Sequence, residues 1–272
     1  MSFCPRDWTY SLPSLFKASV GSMLLHAELI DYIFSFLRGD ISALEACSKS
    51  HPFFSQLAER HLYADIVVTL MDNLSVPELY ECLSKNPHIL GYPRTLKIYA
   101  NSSILPRVLA RKVLPIFSMI PRMANLTSLK LCEKPSGSLH FNRTFLSTLF
   151  ESCLQQSSVE KIHLSRFRDL PLSILDNVKN IKMLTLSGCQ MITEPKSKLP
   201  HQLLETLVIR GAPNKHLLIG MADRVVNLTS LQLRGVYSMA YDWNGFPELL
   251  AACSSSLTEL HIDVVHRMQP FI

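Results

Sequence analysis

The run Asn125-Leu126-Thr127-Ser128-Leu129-Lys130-Leu131 returns as Asn227-Leu228-Thr229-Ser230-Leu231-Gln232-Leu233, letter for letter through the second leucine. Both spell L-x-x-L-x-L. In an extended chain successive side chains point to opposite faces, so the last two leucines share one face and the residue between them takes the other. The spelling, with aliphatic substitutions, also fits Val159/Ile162/Leu164, Ile181/Leu184/Leu186, Leu204/Leu207/Ile209 and Leu257/Leu260/Ile262, and more weakly Pro93/Leu96/Ile98. The middle aliphatics fall at 96, 129, 162, 184, 207, 231 and 260, at intervals of 33, 33, 22, 23, 24 and 29 residues. Recurrence at such a period marks a repeat architecture, in which each unit buries its apolar face only against its neighbours. The two intervals of 33 call for longer connections.

Between these copies the apolar period changes. Leu146, Leu149, Phe150, Cys153 and Leu154 follow the spacing of a helix face, and so do the shorter sets Leu172/Leu175/Val178 and Leu249/Leu250/Cys253. The unit is therefore a short strand, a turn and a helix. From Pro93 to Val265 the chain resembles the leucine-rich-repeat family, with Cys189 in the Asn/Cys slot of that family's longer motif. Lys134, Phe167, Ala212 and Val236 occupy that slot in other copies and depart from the pattern. The resemblance implies an α/β solenoid of parallel strands with helices outside. The competing expectation is a generic α/β domain with leucine-rich strands.

The first part of the chain is read as helical. Leu29, Ile30, Ile33, Phe34 and Leu37 make one apolar face that ends at Gly39, and Asp40 can cap a second helix bearing Ile41, Leu44 and Cys47. His51-Pro52 opens a third helix, and Ile66-Val67-Val68 reads as a strand. Ser75-Val76-Pro77-Glu78 has a capping-box pattern ahead of a fourth, bridging helix. Leu25-His26-Ala27-Glu28-Leu29, Ile33, Phe36-Leu37, Asp40, Leu44, Cys47-Ser48, Phe54, Ala58 and Arg60-His61-Leu62-Tyr63 resemble the F-box of fungal F-box proteins. His26 stands where that family has proline, and Lys49 and Ser50 where it has apolar residues. The resemblance implies docking on the Skp adaptor, and through it on a cullin ubiquitin ligase, with contacts at Leu25, His26, Glu28, Leu29, Ile33, Leu44, Phe54 and Leu57. Part of this apolar surface is then expected to stay open, with Leu44, Phe54 and Leu57 extending a patch begun by the first helix. The domain division reads as a tail at 1–22, an F-box-like module at 23–63, a bridge at 64–92 and the repeats at 93–272.

Composition narrows the function. Hydrophobic residues make up 47% of the 272 and charged residues 18%, which provides for a packed interior. No apolar run is long enough for a membrane span, and no signal peptide is read. Seven cysteines spread singly argue for reduced thiols, hence the cytoplasm or nucleus, rather than a disulfide framework. The net charge of +5 is scattered and argues against nucleic acid as a partner. No H-E-x-x-H, P-loop or G-x-S-x-G occurs, and the pairs Cys132/His140 and Cys253/His261 lack the second pair that a tetrahedral zinc site needs. The expectation is a non-enzymatic adaptor without metal or cofactor. It would bind Skp through the helices and a target protein through the repeats. The alternatives are a protein-binding scaffold whose helices only cap the repeats, and a hydrolase or transferase with an unrecognised Cys or His site.

Alternation assigns the target-binding face. Lys97, Tyr99, Lys130, Lys161, His163, Arg210 and Arg234 fall between the inward aliphatics, with Glu259, His261 and Asp263 at the far end. The first six strands of this face hold five Lys/Arg and no acid, which points to an acidic partner segment. After Ile262 no helix pattern covers the last strand, so an open end is expected there.

Overall fold

A computed structural model describes residues 27–69, 75–100, 114–133, 139–140, 158–168, 180–190, 204–211, 215–222, 224–237 and 245–265. Three helices come first: α1 (Ala27–Phe36), α2 (Ile41–Ser50) and α3 (Pro52–Leu62). Gly39, at φ 127, turns the chain out of α1 in a conformation that a side chain rarely tolerates. Asp40 Oδ1 then accepts the Ala43 N–H at 3.0 Å and so caps α2. His51 does the same for α3, its Nδ1 accepting the Phe53 N–H at 3.1 Å. Ile30, Phe34, Leu44, Leu57 and Ala58 interlock as a small buried core. Leu44 and Leu57 are 1% and 7% exposed, so the expectation that they extend an open patch does not hold. They are what α1 packs against.

The remainder is built on one open, eight-stranded, all-parallel sheet. Its strands are β1 (Asp65–Thr69), β2 (Thr95–Ala100), β3 (Ser128–Glu133), β5 (Lys161–Ser165), β7 (Met183–Ser187), β8 (Thr206–Arg210), β9 (Ser230–Tyr237) and β10 (Glu259–Val265), side by side in chain order. The two-residue strands β4 (Leu139–His140) and β6 (Phe167–Arg168) form a separate pair. Every middle aliphatic picked out by the L-x-x-L-x-L spelling sits on a strand of this sheet, and Leu96, Leu129, Ile162, Leu184, Leu207, Leu231 and Leu260 are aligned across it. The segment read as a bridge contributes a strand too: β1 pairs with β2 and puts Ile66 opposite Leu96.

One hydrogen-bond motif sets this register. The carbonyl just before each strand accepts the first two N–H groups of the next strand unit: Ala64 takes Arg94 and Thr95, Arg94 takes Thr127 and Ser128, Thr127 takes Glu160 and Lys161, and so on to Thr229 with Thr258 and Glu259. The repeated pentapeptide can be read off this geometry. Leu126 and Leu228 are fully buried, as are Leu129 and Leu231. Thr229 Oγ1 adds a third bond to the Glu205 carbonyl at 3.0 Å, and Thr127 Oγ1 reaches the Arg94 carbonyl at 3.3 Å. Strands β5, β7 and β8 each end at a left-handed residue, Arg166 (φ 62), Gly188 (φ 61) and Gly211 (φ 84), and β9 carries the equivalent Gly235 (φ 68) within it.

Inside the sheet lies one continuous core. Helices α4 (Ser75–Lys85), α5 (Lys215–Ala222) and α6 (Phe246–Cys253) contribute Val76, Cys82, Leu83, Leu217, Leu218, Met221, Leu249 and Cys253 to it. The helices read at 146–154 and 172–178 fall outside the described residues. The two edges of the sheet differ. On β1, Ile66 and Val68 are buried, whereas on β10 Leu260 and Ile262 are 48% and 41% exposed. No helix among the described residues is long and apolar enough to cross a membrane.

Candidate functional site

Two surfaces stand out from the packed structure. The first is on α1. This helix has two apolar sides: Ile30 and Phe34 face α2 and α3, while Leu29, Tyr32, Ile33 and Phe36 line a second stripe at the i, i+3, i+4, i+7 spacing of one helix face. Their exposures are 46%, 61%, 45% and 72%. Tyr32 and Phe36 stack edge to face at 4.8 Å, and Ile41 at the start of α2 is exposed as well. Clustered exposed apolar side chains of this kind are a feature that docking surfaces share. Of the residues assigned to Skp contact, Glu28, Leu29 and Ile33 are on or beside the stripe, Phe54 is half-buried, Leu44 and Leu57 are internal, and Leu25 and His26 lie outside the described residues. Tyr32, Phe36 and Ile41 are not among the residues assigned to Skp contact, although the spacing 29, 32, 33, 36 in the sequence already places the first two on the stripe.

Three contacts link the helices to the rest of the chain. Arg38 Nε meets Asp65 on β1 at 3.2 Å, Glu59 meets His88 at 3.6 Å, and Tyr63 packs on the main core. His61 Nε2 holds Asp31 of α1 at 2.9 Å, which fixes the orientation of the open stripe.

The second surface is the outward face of the sheet. Register brings its residues into straight rows. One runs Lys97, Lys130, His163, Thr185, Val208, Gln232, His261, and the next Tyr99, Cys132, Ser165, Ser187, Arg210, Arg234, Asp263. Lys161 lies a row below, between Ser128 and Met183. All seven residues assigned to the target face therefore come together on it. Thr185 and Val208 are only 7% and 2% exposed although they point outward, shielded where longer neighbours flank them in the row. His163 Nε2 and Ser187 Oγ are hydrogen-bonded at 3.2 Å, a diagonal contact that spacing alone did not reveal. Burial holds the His163 imidazole below its usual range, and Arg210 and Lys130 reinforce this. Burial raises the Cys132 thiol, against the pull of Lys130 and Lys97. Over β9 and β10 the face dips into a shallow polar depression lined by Ser230, Gln232, Arg234, Glu259 and His261.

Other chemistry is sparse. Among the described residues no carboxylate bonds the second nitrogen of His163, and no group of three or more His, Cys, Asp or Glu could hold a metal ion. Cys189 is structural: its Sγ donates to the Leu164 carbonyl at 3.4 Å, bracing the turn after β7 against β5, and burial pushes its thiol up to about 11. Cys253 likewise bonds the Leu249 carbonyl of its own helix at 3.1 Å. In comparisons with known proteins, no family model matches the chain and no curated protein is significantly similar to it.

Proposed function

We propose that this chain is the substrate-recognition adaptor of a Skp–cullin–F-box ubiquitin ligase, with an F-box-like three-helix unit followed by a leucine-rich-repeat solenoid. The observation that carries the reading is the open stripe Leu29/Tyr32/Ile33/Phe36 on a helix whose opposite side is already buried. A helix that served only to cap the sheet would have no use for a second apolar face. The eight parallel strands in chain order, each clamped to the last in the same way, support the repeat reading. In this role no bond is made or broken by the chain. It holds a target near the ligase and raises the target's effective concentration there. The work is cytoplasmic or nuclear and uses no metal or cofactor.

A second reading, in which the helices are a cap on a protein-binding scaffold, draws on the contacts of Arg38 with Asp65 on β1 and of Glu59 with His88 in the turn before β2. Titration of the folded chain with purified Skp separates the two. Saturable binding at micromolar concentration is expected of the adaptor; its absence from a folded sample leaves the scaffold.

A further inference from the structure

We infer that the outward face of the sheet receives an acidic, extended segment of a partner protein laid across the strands, its charges in two groups. Calling that segment a ligase target rests on the adaptor reading; the surface itself does not. The first observation is that the cations here are open. Among the described residues Lys97, Lys130, Lys161 and Arg210 make no ion pair, and Arg234 only donates to Gln232 at 2.7 Å. Lys182 with Glu160 at 2.8 Å and Arg38 with Asp65 at 3.2 Å show what a matched pair looks like in this chain. Leaving five cations on one face of the sheet without ion pairs costs self-repulsion that an anionic partner relieves.

The second observation is the arrangement. Lys97, Lys130 and Lys161 occupy β2, β3 and β5; Arg210 and Arg234 occupy β8 and β9; β7 between them presents only Met183, Thr185 and Ser187. Lys161 lies a row below, so along the upper rows the gap runs from Lys130 to Arg210, three strand steps, about 14 Å at roughly 4.8 Å each, which an extended chain spans in about four residues. The matching segment has an acidic group, about four uncharged residues, and a second acidic group. The uncharged stretch passes over the neutral His163–Ser187 pair and the shielded Thr185 and Val208. Glu259 and Asp263 on β10 set the limit of the anionic site and would repel a segment that stayed acidic beyond β9.

The same pattern disfavours nucleic acid. A phosphate chain carries uniform charge, so it would set phosphates over β7 and against Glu259 and Asp263. Tyr99 is the one Phe, Tyr or Trp in these rows, which makes a poor stacking platform for a run of bases.

The test is fluorescence anisotropy of the full chain with a labelled peptide holding two Asp-Glu pairs separated by four Gly/Ser residues. Micromolar binding that weakens with salt is expected, several-fold tighter than to a peptide with the same four acids contiguous. Lys130→Glu and Arg210→Glu should each weaken it at least tenfold, while Lys49→Glu on α2 leaves it unchanged. Lys161→Glu replaces either variant that misfolds by circular dichroism. No binding, equal binding by the charge-reversed variants, or tighter binding of a single-stranded RNA oligonucleotide overturns the inference. Skp titrated into the same samples keeps the two readings apart. Skp binding without peptide binding removes the acidic segment and leaves the adaptor; peptide binding without Skp binding does the reverse.

Discussion

Phe36→Ala is the sharpest probe of the α1 stripe. Phe36 is 72% exposed and touches Tyr32 but belongs to no buried cluster. An aromatic side chain offers on the order of 200 Å², so docking could cover about 140 Å² more of it. At about 25 cal/mol per Å² that is a ceiling of about 3.5 kcal/mol, and buried aromatic anchors commonly carry 2 kcal/mol or more. A loss of about 2–3 kcal/mol weakens Kd by about 30- to 140-fold. The fold should scarcely notice, because the variant loses only an exposed ring pair worth about 1 kcal/mol at most. Phe34→Ala is the control for indirect effects: Phe34 is 4% exposed in the small core, and its removal should cost about 3–5 kcal/mol of stability. The assay is calorimetric titration with Skp alongside thermal melts. If Phe36→Ala binds Skp within threefold of the parent, the stripe is not the docking surface, whatever Phe34→Ala does.

Gly211→Ala should destabilise by about 1–2 kcal/mol in urea titration, the cost of a side chain at φ +84, since its Cβ would meet nothing closer than the Gly188 nitrogen at 3.8 Å. Arg166→Gly, at φ 62 in the equivalent turn, should cost nothing or gain; a clear loss would show that the arginine side chain outweighs its backbone strain. For Cys189 the folded thiol titrates near 11, above its unfolded value, so its contribution is intact below about pH 8.5 and lost as pH rises towards 11. On the order of 2–3 kcal/mol of alkaline instability should disappear in Cys189→Ala, and equal pH slopes for parent and variant would refute this. His163 has the opposite sign. Its pKa is lowered by burial, Arg210 and Lys130, so the unfolded chain takes up the proton first and stability falls as pH drops below about 6.5. With Ser187 on β7 as its bonded neighbour, His163 should titrate below the ordinary histidine range by NMR, and His163→Gln should flatten the acid slope.

What could be read in advance follows from the range of the forces involved. The strands were legible because alternation is local and the L-x-x-L-x-L spelling marks inward positions. The cap at Asp40 and the helix start at His51-Pro52 were legible for the same reason, since both signals lie within three residues of the helix they open; that His51 itself caps the Phe53 N–H was not read. Strand β1 was legible at Ile66-Val67-Val68, but its place in the repeat series was not, because its first slot holds Tyr63 rather than an aliphatic. Yet Tyr63, Ile66 and Val68 repeat the spacing, and Tyr63 packs on the core. The turn glycines escaped although Gly188, Gly211 and Gly235 each follow a middle aliphatic by four residues. Their role shows only as a positive φ.

The two surfaces mark where one-dimensional reading stops. Both sides of α1 are apolar in sequence, so periodicity cannot say which goes inside. That is settled by Leu44, Leu57 and Ala58, which arrive from other helices and take Ile30 and Phe34. On the sheet, alternation separates outward from inward residues but leaves their sideways neighbours unknown. The carbonyl clamp before each strand supplies that information, because it repeats without slippage from Ala64 to Thr229. A one-residue slip at any strand would send its cation into the core and a leucine to the surface, so burial of the leucines and alignment of the lysines are enforced together. The charge map of the face is thus a consequence of the same packing that builds the core. A variant that breaks the clamp should lose the acidic-segment site and the fold in one step.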